Sequence, residues 1–230
     1  MSLGIIAGTN LFESRLFERC KRKKVKTRYG RVDMFFKDSI VLILRHGYNN
    51  GIPAHRIDHN ANLTALHKAG VHSIISVTSV GSLKIKYKPT DIMVPSDFIG
   101  IWNIPTFYDS KPVYVTPELD DSLRKKIIEA ARKAKIKVIT KGTYVQTPGP
   151  RLETIAEVKM LSHFGDVVGM TMASEATLAN ELNLRYANIS SIDNYANGIS
   201  NKKLDFDQIK INAKKNSFRI ESILKKIMGA

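Results

Sequence analysis

Residues 185–198 read RYANISSIDNYANG, an apolar and small-residue run closed by Asp193, Asn194, Asn197 and Gly198. Short runs of this kind, without polar alternation, belong to strands covered on both faces. Asn, Asp and Gly end such strands because they tolerate unusual backbone angles and bond their own backbone. A turn therefore accounts for Asp193 and Asn194. So does a binding site, because open α/β sheets gather ligands at the carboxyl ends of their strands. The choice depends on what the other strand exits carry.

The same grammar recurs along the chain. LGIIA (residues 3–7) reads as a buried strand running into Gly8-Thr9-Asn10, and SIVLIL (39–44) as one ending at Arg45-His46-Gly47. HSIISVTSVGS (72–82) carries Thr78, Ser79 and Gly81. KGTYVQTPGP (141–150) stops at Pro148-Gly149-Pro150, and DVVGMTM (166–172) exits at Met170-Thr171. Between these lie helical patterns at 54–70, 116–136, 153–165 and 174–183, with a basic helix at the end of the chain. In the 116–136 segment acids occupy the first turn and lysines the last, as the helix dipole favours. Alternating strands and helices predict an α/β fold: a mostly parallel or mixed central sheet flanked by helices, in one domain over residues 1–230.

The bulk properties narrow the classes. The chain has 230 residues, 43% of them hydrophobic, with no long Gly/Ser- or Pro-rich linker and no fixed-period repeat. No stretch approaches the length of a membrane span, and the opening MSLGIIAGTN lacks the basic flank of a signal peptide. The lone Cys20 forms no internal disulfide and suits a reducing cytoplasm. The formal net charge of +15 favours anionic partners. The run RCKRKKVKTR (19–28) reads as solvated surface, since interleaved aromatics or a nucleic-acid motif are missing from it.

Taken together, the strand exits supply what a tetrahedral oxyanion needs: hydroxyls from Thr9, Thr78, Ser79 and Thr171, a planar cation from Arg45 and a ring donor from His46. His55, His59, His67, His72 and His163 have no metal spacing and no neighbouring acid in register, and read as structural or surface residues.

With these motifs in order, the chain resembles the trimeric purine nucleoside phosphorylase and methylthioadenosine phosphorylase family. GIIAGTNL (4–11) is similar to that family's Gly-Ile-Ile-Gly-Gly-Thr-Gly-Leu. LRHG (44–47) followed by IPAHRIDHNANLTAL (52–66) resembles its Arg-His-Gly and Pro-Pro-His-x-Ile-Asn-Tyr-Arg-Ala-Asn segments. VTSVGSL (77–83), TPGPRLETIAE (147–157) and VVGMTMASEATLANEL (167–182) match its later motifs, so the likeness spans nearly the whole chain. Departures fall at Ala7, Asn10, His59, Asn60 and Ser174, and the segment after IGIWNIPTFYDSKPVYV (99–115), a loop region that in the family contributes to a neighbouring subunit's site, is short.

The resemblance implies phosphorolysis of purine nucleosides to free base and sugar 1-phosphate, with inorganic phosphate as co-substrate and neither metal nor organic cofactor. It implies that Thr9, Arg45, His46, Ser79 and Thr171 hold phosphate with help from Thr78. Met170 would pack on the ribose, and Glu153 and Asn194 would read the base and serve catalysis. Asn194 matches the 6-oxopurine branch (inosine, guanosine, methylthioinosine), where the adenosine-selective branch has aspartate. In KLDFDQI (203–209), Leu204 and Phe206 stand where a histidine would favour a 5′-hydroxyl, which implies acceptance of 5′-methylthio substrates. A homo-oligomer, trimer or dimer of trimers, is implied. The alternatives are a methylthioadenosine phosphorylase, a nucleosidase in which water replaces phosphate, and a basic nucleoside- or nucleic-acid-binding protein on the same fold; the residues give no membrane or nucleic-acid signature.

Overall fold

A computed structural model describes residues 2–12, 14–102 and 104–229. The strands are β1 (Ser2–Ala7), β2 (Lys21–Lys26), β3 (Arg31–Lys37) and β4 (Ile40–Leu44), then, after helix α1 (His59–Lys68), β5 (Val71–Ser82), β6 (Ile92–Met93) and β7 (Asp97–Ile99). Helix α2 (Asp121–Lys133) precedes β8 (Thr143–Gln146), α3 (Ile155–Leu161) precedes β9 (Val167–Gly169), and α4 (Met172–Glu181) precedes β10 (Arg185–Tyr195). Helix α5 (Phe206–Met228) follows.

Among the described residues, ten strands join one mixed sheet, with the path β2-β3-β4-β1-β5-β9-β8-β7 and β10 attached to β5 and β6. Strand β1 lies parallel between β4 and β5. Strand β5 is the hub: β1 pairs along its first half, β9 meets its last two residues antiparallel, and β10 runs parallel along nearly all of it. The apolar runs are explained by cover on both faces. Val41 and Ile43 of β4 join one core cluster with α1 and α4, whereas Ile40 and Leu42 join the other with α2 and α5. Alternate side chains of one strand thus enter opposite cores.

Local signals set the helix bounds. Asp58 caps α1, its Oδ1 accepting from the Ala61 amide at 2.7 Å, and Gly70 at φ +73° ends that segment. Thr154 and Glu157 form a reciprocal capping box on α3. The helix expected over 54–70 begins only at His59, after a single 3₁₀ turn at Ala54–Arg56, and the one expected from 116 begins at Asp121 behind the Asp120 cap.

Two differences from the sequence reading have physical causes. The basic run is an edge strand: β2 pairs antiparallel with β3 from Lys21↔Phe36 to Lys26↔Arg31, and its lysines and arginine remain exposed. Charged side chains are a common protection for a free sheet edge. Strands β6 and β7, at two and three residues, are too short to leave a periodic signal. Among the described residues no helix is long and apolar enough to cross a membrane.

Candidate active site

The register of β10 on β5 answers the question raised by Asp193 and Asn194. Ile192 opposes Val80 and Asn194 opposes Gly81, so Asp193 is an extra residue in the ladder. Such a bulge re-aims side chains at a strand end. Asn194 lines a cavity of about 260 Å³, whereas Asp193 is fully buried beneath it, where its carboxylate accepts from Asn10, Ser79 and Ser191.

Every site residue expected from the sequence borders this cavity. Thr9, Arg45, His46, Thr78, Ser79 and Thr171 gather from the ends of β1, β4, β5 and the start of α4. Glu153, Met170, Asn194 and Phe206 line the remainder. Leu152, Asn197, Leu204 and Ile209 add to the wall. A second cavity of about 440 Å³ shares Ala54 and Met170 with the first and is bordered by His59, Gln146 and Ser174.

Arg45 is more deeply committed than a free phosphate ligand would be. Its Nε and Nη2 both donate to the Glu175 carboxylate, the latter at 3.0 Å, and Nη1 donates to the Val77 carbonyl at 2.8 Å. The guanidinium is 2% exposed and Glu175 1%, so each charge needs the other. Burial disfavours both charged forms; their mutual attraction and hydrogen bonds outweigh it, raising Arg45 and lowering Glu175. Gly8 makes this packing possible: a Cβ there would lie 2.4 Å from Arg45 Nη1 and 2.6 Å from the Val77 carbonyl oxygen.

A chain of buried hydrogen bonds leads from this pair to the cavity. Tyr186 donates to Glu175 Oε2 at 2.8 Å and meets Ser76 Oγ; Asn188 Nδ2 donates to Ser76 Oγ at 2.7 Å; Thr78 donates to Asn188 Oδ1 at 3.2 Å. Polar layers of this kind are stable only when fully paired, and they fix each hydroxyl's direction.

His46 Nδ1 lies 2.8 Å from the Ile52 carbonyl. A carbonyl only accepts, so Nδ1 carries the proton and Nε2 is left for the cavity. Burial, then the Arg45 charge, lowers this histidine's pKa and favours the neutral ring, so Nε2 offers the cavity a lone pair and not the ring donor expected from the sequence. Thr171 is the N-cap of α4 but makes no side-chain cap bond, which leaves its hydroxyl free beside a helix N-terminus.

At the opposite end, Glu153 Oε1 accepts from Thr147 Oγ1 at 2.6 Å and its backbone carbonyl from Asn197 Nδ2 at 2.7 Å. Asn194 Nδ2 donates to the Tyr195 carbonyl at 2.8 Å, which leaves its second N–H and its oxygen for other partners. Met170 packs against Gly149, where a Cβ would meet the sulfur at 2.5 Å; φ there is +66°, so glycine suits both the turn and the contact.

Of the histidines read as structural or surface, His59 is structural: it is buried, with Nδ1 3.9 Å from Glu175 Oε1 and without a hydrogen-bond partner at that atom. Burial lowers its pKa to about 4, the attraction of Glu175 notwithstanding. The acid lies more than a hundred residues away in sequence, so no local spacing announced it.

The sequence matches the Phosphorylase superfamily over residues 2–228. It is 41% identical over 234 residues to a probable 6-oxopurine nucleoside phosphorylase of Archaeoglobus fulgidus, covering 98% of this chain and 96% of that protein. It is 38% identical over 218 residues to a probable S-methyl-5′-thioinosine phosphorylase of Methanocaldococcus jannaschii, covering 90% and 84%. Among solved structures, the methylthioadenosine phosphorylase of Schistosoma mansoni in complex with adenine superposes with a TM-score of 0.88 at 25% identity, covering 100% of this chain and 91% of that one.

Proposed function

Because the chain belongs to the Phosphorylase superfamily, we propose that this cavity is the active site of a purine nucleoside phosphorylase. Inorganic phosphate attacks the anomeric carbon as the bond to the purine nitrogen breaks; the products are free base and a (methylthio)ribose 1-phosphate. The observation that carries the reading is the convergence of an oxyanion end and a base end on one cavity.

In this reading Thr9 and Thr171 donate to phosphate, while Ser79 Oγ and His46 Nε2, whose protons go to Asp193 and the Ile52 carbonyl, meet it as acceptors from a protonated phosphate oxygen. Arg45 and Thr78 form the wall behind them. Arg45 supplies a fixed cation whose own counter-charge, Glu175, lies on its buried side. Met170 packs on the ribose. Positive charge grows on the sugar and negative charge on the departing purine, so preorganised groups at both ends lower the barrier. Asn194 donates to the purine as that charge develops, and Glu153 accepts from the ring N–H that 6-oxopurines carry and adenine lacks. Phosphate is the nucleophile, and the reaction is written with no metal or organic cofactor.

Two features support the finer substrate class. Glu153 and Asn194 both favour a 6-oxopurine, and a carboxylate facing the adenine lone pair would repel it. Leu204, Phe206 and Ile209 give the cavity an apolar end suited to a 5′-methylthio group. The expected preference is therefore methylthioinosine or inosine over methylthioadenosine; the apolar end alone would equally suit a methylthioadenosine phosphorylase. The exposed Ile52, Ile101 and Leu152, beside residues of the two cavities, support a homo-oligomer, trimer or dimer of trimers, which sedimentation measures.

The test is base release from inosine, guanosine, methylthioinosine, adenosine and methylthioadenosine, with and without phosphate. Phosphate-dependent release with a higher kcat/KM for the 6-oxo member of each pair is expected. Release that proceeds equally without phosphate overturns the reaction, and faster cleavage of methylthioadenosine than methylthioinosine overturns the base preference.

A further inference from the structure

The bulged Asp193 has no role in the reaction as written, yet its side chain is buried and accepts hydrogen bonds from three separate segments behind the phosphate end. Its Oδ2 accepts from Asn10 Nδ2 at 3.1 Å and from Ser79 Oγ, and its Oδ1 accepts from Ser191 Oγ. Its backbone carbonyl accepts from Asn212 Nδ2 of α5 at 2.9 Å, and Asn216 of the same helix donates to Ser191 Oγ at 2.9 Å. One residue thus ties together the turn after β1, the end of β5, its own strand and α5. Two of those partners belong to the oxyanion end: Ser79 borders the cavity, and Asn10 follows Thr9 in the turn.

We propose that Asp193 is a positioning residue for phosphate, holding the Ser79 hydroxyl and the Thr9–Asn10 turn in their binding arrangement, and that it does so as the carboxylate. The Ser79 hydroxyl has one proton, and that proton goes to Asp193, which fixes the direction of its lone pairs, so Ser79 meets phosphate as an acceptor from a protonated phosphate oxygen and not as the donor expected from the sequence. Asn10 carries the second half of the argument. Its Nδ2 faces the carboxylate while its Oδ1 is buried without a partner. An amide leaves its acceptor orphaned only where its donor has a strong acceptor to satisfy. A protonated Asp193 would instead donate to the Asn10 oxygen, and the amide would turn over.

This exchange is within reach of ordinary buffers, because burial raises the Asp193 pKa to about 6 against the pull of Ser191, Ser79, Asn10 and Asn216. These partners are neutral. The charged group reached next along the bonds is Arg219, which donates to Asn216 Oδ1 at 2.9 Å.

The inference rests on the phosphorolysis reading. A wild-type protein that releases base without phosphate fails that reading before any variant is compared. The experiment measures KM for phosphate and for nucleoside in wild type and Asp193→Asn across a pH series. The ratio of the two proteins' phosphate KM values cancels the titration of phosphate itself. It is expected to be about tenfold at high pH, the loss of one charge-assisted bond, and to fall toward unity as the pH drops below about 6. The nucleoside KM should change less than about twofold on the same scale. A ratio that does not vary with pH, or a parallel rise in the nucleoside KM, overturns the proposal. If Asp193→Asn does not fold, Asn10→Ala reads the same contact from the other side: a pH-dependent phosphate ratio supports the positioning role, and an unchanged phosphate KM overturns it.

Discussion

At the scale of single residues, the oxyanion end is built on close approach and on buried charge. Gly8 has no room for a methyl group between Arg45 Nη1 and the Val77 carbonyl. Gly8→Ala is therefore expected to destabilise by about 1–3 kcal/mol through overpacking and to weaken phosphate binding, both measurable by denaturant unfolding and phosphate kinetics. Unchanged stability would mean that Arg45 has another place to go. Glu175→Gln leaves the Arg45 guanidinium without its counter-charge, and breaking a buried pair costs about 3–5 kcal/mol. Replacing both members with apolar residues should cost less than the single change, while still abolishing phosphate-dependent turnover. A double variant less stable than Glu175→Gln would count against the pair as drawn.

At the scale of elements, helix α5 brings Phe206 and Ile209 to the cavity, and its start is held by Asp205, whose side chain accepts from the Asp207 and Gln208 amides. Asp205→Ala removes that cap, worth about 1 kcal/mol. The first turn should fray, raising KM for 5′-methylthio substrates while leaving KM for phosphate unchanged. A change in the phosphate KM alone would place this turn at the wrong end of the cavity. The elements also show what could be read in advance. β1, β4, β5, β9 and β10 were legible because each is a short apolar run ending in small polar residues, and those endings named residues that line one cavity. β2 was not legible as a strand, because an exposed edge needs no apolar face and its lysines looked like any solvated run. The burial of His59, the Arg45–Glu175 pair and the Asp193 cluster were not legible either: their contacts join residues far apart in the chain, and which side of a strand a bulge turns outward is set by pairing, not composition.

For the molecule as a whole, two buried groups pull the pH dependence of stability in opposite directions. His59 has a folded-state pKa near 4, below its unfolded value, so the unfolded chain binds the proton more tightly. Its contribution is present at neutral pH and lost as pH falls from about 6.5 to about 4, by roughly 3 kcal/mol. Asp193 is raised from 3.8 to about 6, so the folded chain binds the proton more tightly. It favours the folded state in acid, and that benefit is lost as pH rises from about 4 to about 6, again by roughly 3 kcal/mol. The two slopes offset one another in the shared window. Relative to wild type, His59→Gln should gain stability between pH 6.5 and 4.5 and Asp193→Asn should lose it, as read by urea midpoints at both values. Parallel behaviour of all three proteins would show that neither group titrates as described. The hub position of β5 also governs when the site can exist. Its neighbours are β1, made long before it, β9, which meets only its last two residues, and β10, made more than a hundred residues after it. A nascent chain that has emerged only as far as α4 presents a central strand with one side open along most of its length. It also lacks Asn194 and the carboxylate beneath the oxyanion end. Closure of the sheet and arrival of the base end therefore both wait on β10, and the pocket is complete only when α5, which brings Phe206 and Ile209, has followed it.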